Sequence, residues 1–152
     1  MAQEDDRPDL AQMTLPVLDR IWRLWNELTA TSDESTGDKQ AIAVTRAWQD
    51  SVASKDIQCE VPIKEGLNEK IDVIDFLTAT AYEMKVSGNN PHHEFYKGIF
   101  KIIVYNQDHD KRLERLVFIT EKHGADMLNR GLGKAVIQSL AQYKLLITAV
   151  EI

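Results

Sequence analysis

Apolar residues change their spacing several times along this 152-residue chain, and each change marks an element. Leu15, Leu18, Ile21, Trp22, Trp25 and Leu28 recur at helical spacing behind a Thr14 N-cap and Pro16, so residues 14–30 read as a helix. Residues 31–38 are a loop by composition. A second helix is expected from about Lys39 to Ala53, capped by Asp38, with Ile42, Val44, Ala47, Trp48 and Val52 on an imperfect apolar face. Strands follow over Ile57–Ile63, Lys70–Phe76 and Thr80–Ser87, where β-branched and aromatic residues gather. Leu77-Thr78-Ala79 folds the last two back on each other as a hairpin. Asn90 as N-cap and Pro91 at the first position open a helix to about Asn106, with Phe95, Ile99, Ile102 and Ile103 inward and Glu94, Lys97 and Lys101 on the polar side. The apolar run in Leu113–Thr120 reads as a strand buried on both faces. Residues 125–143 read as a helix broken near Gly131 and Gly133, and Leu145–Ile152 as a final strand. Strands separated by helices imply parallel crossovers, hence an α/β domain with a mixed central sheet flanked by helices.

The hairpin breaks its own pattern. Tyr82, Met84 and Val86 share one strand face, and Glu83 and Lys85 share the other. Charges in the middle of an apolar strand lose hydration unless they are paired or bind an ion. Asp72 is in the same awkward position on the preceding strand, and an antiparallel hairpin brings it across from Glu83. Asp75, an odd number of residues away, points to the opposite face unless a bulge intervenes. The plain alternative is an exposed strand face whose charges pair across the hairpin. The apolar neighbours Ile71, Val73 and Ile74 argue for a central strand instead. Two carboxylates and a lysine together suit a divalent metal beside a phosphate: Mg²⁺ takes one or two carboxylates and keeps several waters. A neighbouring lysine orients a water or stabilises the charge developing on the phosphate.

Ile71-Asp72, a short gap, then Glu83-Met84-Lys85 on the next strand resembles the PD-(D/E)xK superfamily of phosphodiesterases, which includes restriction endonucleases, Holliday junction resolvases and repair nucleases. The resemblance covers roughly residues 38–122. It implies a restriction-endonuclease-like core of helix, three strands, helix and strand, here with an extra N-terminal helix. It also implies that Asp72 and Glu83 are metal ligands together with the Met84 backbone carbonyl, that Lys85 is the catalytic lysine, that Mg²⁺ or Mn²⁺ is the cofactor, and that the chain is a DNA endonuclease of restriction and defence, repair or recombination. Many members carry a glutamate in the first core helix; Thr36-Gly37-Asp38-Lys39-Gln40 has none, which leaves Gln40 or Asp38 to stand in. Members often place a Gln or Lys facing the site on the helix after the motif, and Lys97 is the best match, its alternative being an ordinary surface pair with Glu94. The first turn of that helix, with Asn90 and His92, offers free N–H groups to a phosphate of the DNA. Glu60 is a candidate extra metal carboxylate or else a solvent-facing strand residue. The second expectation is a catalytically silent module of the same fold, acting in nucleic-acid binding or protein assembly.

Composition narrows these readings. The net charge of −6 does not favour indiscriminate nucleic-acid binding. Asp and Glu crowd residues 1–38, however, while Lys85, Lys97, Lys101, Lys111, Arg112, Arg115, Lys122, Arg130 and Lys134 fall within 85–134. A flexible acidic segment at 1–13 joined to a single domain at 14–152 is compatible with a locally positive cleft. Cys59 is the only cysteine, so no intramolecular disulfide or cysteine zinc site is expected, and a reducing cytoplasmic setting is the default. No run approaches the ~18 apolar residues of a membrane span, so no membrane partner is expected. Gly131-Leu132-Gly133-Lys134 echoes a phosphate loop but lacks its spacing and its Ser or Thr. His92 and His93, being adjacent, point in different directions and make a poor metal pair. Cutting two strands calls for a homodimer or for a place in a larger complex, with the Trp22/Trp25 helix face as the candidate surface.

Overall fold

The structure, a computed structural model, describes residue 23 and residues 37–85 and 90–151, without the side chains of 37–41. The expected helix at 14–30 with its Trp22/Trp25 face, the acidic segment 1–13 and the side chains of Asp38 and Gln40 lie outside the described residues. Five strands form one sheet in the order β1 (Ile57–Pro62), β2 (Lys70–Asp75), β3 (Thr80–Lys85), β4 (Arg115–Thr120), β5 (Leu146–Glu151). The β1–β2 and β2–β3 pairs are antiparallel, and the β3–β4 and β4–β5 pairs are parallel. The helices are α1 (Gly37–Val52), α2 (Pro91–Asp108), α3 (Lys122–Leu128) and α4 (Gly131–Ala141). The expected α/β class, a mixed sheet flanked by helices, is what forms.

Alternation decides which helix covers which face. Tyr82 and Met84 of β3, Val73 of β2, and Val117 and Ile119 of β4 pack with Val44 and Trp48 of α1. Ile74, Ala81, Leu116 and Phe118 point the other way and pack with Phe95, Ile99, Ile102 and Tyr105 of α2 and with Leu128 of α3. Residues of β4 are buried along its whole length, as the apolar run required. Among the described residues no helix is long and apolar enough to cross a membrane.

Two departures from expectation, and the expected break in the C-terminal helix, have local causes. The hairpin connection is residues 76–79 rather than 77–79, because the Asp75 carboxylate accepts the Leu77 N–H (3.0 Å) and the Phe76 N–H turns to the Asp56 carbonyl (2.9 Å). Asp75 is therefore spent on the turn. The long C-terminal helix is two helices: Gly133 passes so close to α3 that a Cβ there would collide with the Leu128 carbonyl oxygen. Finally, Asn90 occupies the N-cap position of α2 in the left-handed region (φ 56, ψ 61) and makes no side-chain cap bond, so Pro91 alone supplies the start signal.

Candidate functional site

The β2–β3 ladder pairs Ile74 with Ala81 and Val73 with Tyr82, and so carries Asp72 across from Glu83 as the alternation required. At that point the ladder changes character. The Met84 N–H donates to Asp72 Oδ2 (2.9 Å), and the Asp72 N–H donates to Glu83 Oε1 (3.4 Å). Two carboxylates thus take the place of backbone partners where β2 and β3 part. Glu83 is fully buried on the α2 side, and Lys85, two residues on, is half-buried on the same strand face. Met84 turns its side chain to α1 and its amide to Asp72, leaving its carbonyl on the strand between Glu83 and Lys85.

Two further side chains close the cluster. Lys101 of α2 reaches down to the sheet, with its Nζ 2.8 Å from the Lys70 carbonyl oxygen and 3.3 Å from each oxygen of Glu83. Its side chain is 10% exposed and that of Glu83 2%, so this is a buried ion pair. Gly98, three residues earlier, brings the helix close: a Cβ there would stand 3.7 Å from Glu83 Cγ. On the other face Gln49, in the last turn of α1, donates its Nε2 to Glu60 Oε1 (2.7 Å) and to the Asp72 carbonyl oxygen (3.0 Å). It ties α1 to both β1 and β2.

The electrostatics follow from one cation serving two buried acids. Burial raises the Asp72 pKa above the usual carboxylate range, opposed by the Met84 N–H and by the charges of Lys101 and Lys85. Burial, then the charge of Asp72, pushes Glu83 up to about 8 although Lys101 opposes both. The bidentate Lys101 contact speaks for an ionised Glu83, whereas the raised pKa speaks for a proton. Both hold if the two carboxylates share one proton between them, as coupled acids do.

The remaining expected site residues fall outside this cluster. Lys97 does not face it: its Nζ lies 3.5 Å from Glu69 on the surface, and the lysine that enters is Lys101, one turn later. Glu94 pairs with Lys85 (3.8 Å) rather than with Lys97. Glu60 is exposed, has a left-handed backbone (φ 52) and is bonded to Gln49; its charge reaches Asp72 only as a repulsion. Asn90 is exposed, and His92 packs its ring against Tyr96, with centroids 6.0 Å apart. Gln49 and Lys101 are the two residues that sequence reasoning missed. Lys101 had no local signal that set it apart from Lys97, one turn earlier on the same helix. Gln49 had none, being one polar residue among several at the end of α1.

Among the described residues no group of three or more His, Cys, Asp or Glu side chains is arranged to hold a metal ion. What the site offers instead is two neighbouring carboxylates, Asp72 and Glu83. That set suits Mg²⁺, which accepts one or two carboxylates and completes its shell with water. It also leaves Lys101 as the internal cation that any metal would have to share Glu83 with. No family model, no curated protein and no solved structure matches the chain.

Proposed function

We propose that the chain is a metal-dependent phosphodiesterase acting on DNA. The observation that carries this reading is the joining of Asp72 and Glu83 at the place where β2 and β3 part, with Lys101 entering from the next helix and Lys85 near enough for its charge to act on Asp72. The element order α1-β1-β2-β3-α2-β4 with β3 and β4 parallel is the order that the PD-(D/E)xK resemblance implies, and it supports a restriction-endonuclease-like core. Asp72, Glu83 and the Met84 carbonyl would hold the Mg²⁺. When bound, the ion acidifies a water and polarises the phosphate. Lys85 orients that water and stabilises the charge gathering on the phosphate oxygens. Lys101 holds Glu83 in place, and Gln49 fixes the Asp72 backbone. Among the described residues of α1, Gln49 is the one that reaches the Asp72 backbone, the place a helical glutamate of the superfamily would serve.

A second reading has an observation of its own. Lys101 engages both oxygens of Glu83, and Lys85 is 3.8 Å from Glu94, so Glu83 and both lysines have partners without a metal. That is what a catalytically silent module in nucleic-acid binding or assembly would carry. A cleavage assay on plasmid and branched DNA with Mg²⁺ or Mn²⁺ separates the two. Metal-dependent cutting lost in Lys85→Ala supports the enzyme; binding without cutting supports the module.

A further inference from the structure

Pro91, Thr120 and Gly124 meet at the carboxyl end of β4: a Cβ on Gly124 would stand 3.0 Å from Thr120 Oγ1 and 3.4 Å from Pro91 Cβ. In open α/β sheets, ligands bind outside the carboxyl ends of the parallel strands. On the α2 side of that end, α2 and the α3–α4 corner frame a shallow, open cleft of about 550 Å³ lined by His92, Tyr96, Met127, Arg130, Gly131 and Leu132. This is the volume of a site for a small molecule or a single nucleotide unit.

The walls are chemically divided. Met127, Leu132 and the tilted neighbouring rings of His92 and Tyr96 (interplanar angle 43°) give an aromatic and apolar side. The Tyr96 hydroxyl is buried with no hydrogen-bond partner among the described residues. Opposite lie Arg130, exposed and outside every ion pair among the described residues, and the start of α4. Arg130 is the N-cap residue of α4 and gives it no side-chain cap, so the N–H groups of the first turn have no side chain to bond. Gly131 (φ +55) leaves open space above them: a Cβ there would have nothing within 4 Å. A cation and free N–H groups facing aromatic and apolar side chains match an anion joined to a planar ring.

We propose that this cleft is a nucleotide subsite, with a phosphate held by Arg130 and the first turn of α4 and a base lying against the His92–Tyr96 wall. The proposal rests on the phosphodiesterase reading for one point only, that the nucleotide belongs to the DNA strand being cut rather than to a free nucleotide. It also gives Gly131, at the start of α4, a phosphate-binding use that its sequence spacing did not suggest.

Calorimetric titration of the full chain tests it, in chelator so that nothing is cleaved, with thymidine 5′-monophosphate, a thymidine hexanucleotide and inorganic phosphate. Both Arg130→Gln and Leu132→Glu alter exposed residues, so the fold survives them. Each is expected to weaken nucleotide binding by about tenfold, Arg130→Gln by the loss of one charge-assisted hydrogen bond and Leu132→Glu by setting a negative charge beside the phosphate. Lys111→Ala, an exposed charge change on the loop before β4, is expected to leave it unaltered. Hexanucleotide binding well above monophosphate binding assigns the subsite to the DNA strand; equal binding assigns it to a free nucleotide. Wild-type affinity in Arg130→Gln, or inorganic phosphate binding as tightly as the monophosphate, overturns the proposal, as does the absence of any heat. Arg130-dependent binding in a chain that cuts no DNA would sink the phosphodiesterase reading and leave the subsite standing.

Discussion

Replacing Glu83 by glutamine tests the electrostatics of the site without changing its shape. The buried wild-type carboxyl is pushed from an ordinary 4.5 to about 8. Between those values the unfolded chain has released this proton and the folded chain has kept it. The folded state therefore binds more protons, and stability falls as pH rises through the window. At about 1.4 kcal/mol per pH unit, the loss is roughly 5 kcal/mol from pH 4.5 to 8, and Asp72, also raised by burial, adds to it. Glu83→Gln removes the titrating group and its repulsion of Asp72. It also weakens the acceptor for Lys101 Nζ, at a cost of about 1.5–3 kcal/mol for a charged hydrogen bond. The variant should thus be somewhat less stable than wild type at pH 5 and more stable, by roughly 2–3 kcal/mol, at pH 9. Urea unfolding in chelator, followed by the fluorescence of the fully buried Trp48, reads this directly. A crossing of the two pH profiles is expected. Parallel profiles would refute the shared-proton description of Asp72 and Glu83.

Lys101→Met leaves two buried acids with no buried cation, and should destabilise by about 3–5 kcal/mol at pH 8 and less at pH 5, measured by the same unfolding series. Lys97→Ala removes only an exposed pair with Glu69 and should change stability by less than about 0.5 kcal/mol. In a cleavage assay it should act like wild type, whereas Lys101→Met should lose about a hundredfold or more. Gly133→Ala drives a methyl into the Leu128 carbonyl and should cost about 1–3 kcal/mol in a thermal melt. Gly98→Ala meets only ordinary contacts at 3.7–3.9 Å and should be neutral or gain up to about 1 kcal/mol of helix propensity.

The parts of the fold written in local pattern were legible. Alternation over Thr80–Lys85 placed Glu83 opposite in face to Tyr82 and Met84, and the antiparallel turn put Asp72 across from it. The apolar run before Thr120 and the helices on either side of it identified β4 as a central, parallel strand. What was not legible depends on helix placement. Lys97 and Lys101 are one turn apart on the same helix, and only the angle at which α2 crosses β3 decides which reaches Glu83. Gln49 is a tertiary matter too: it reaches Glu60 and Asp72 only because Trp48 seats the last turn of α1 on the sheet, its ring 6.3 Å from that of Tyr82. Asp75, which alternation had turned away from the site, accepts the Leu77 N–H in the turn instead.

The most direct measurement is cleavage of supercoiled plasmid and branched DNA by the full chain, with Mg²⁺ or Mn²⁺ and with chelator, beside Asp72→Ala and Lys85→Ala. The expected result is cutting by wild type that chelator abolishes and that both variants lack while remaining folded. Wild type that cuts no substrate with either metal, or variants that cut as well as wild type, would contradict the assignment of phosphodiester hydrolysis to Asp72, Glu83 and Lys85.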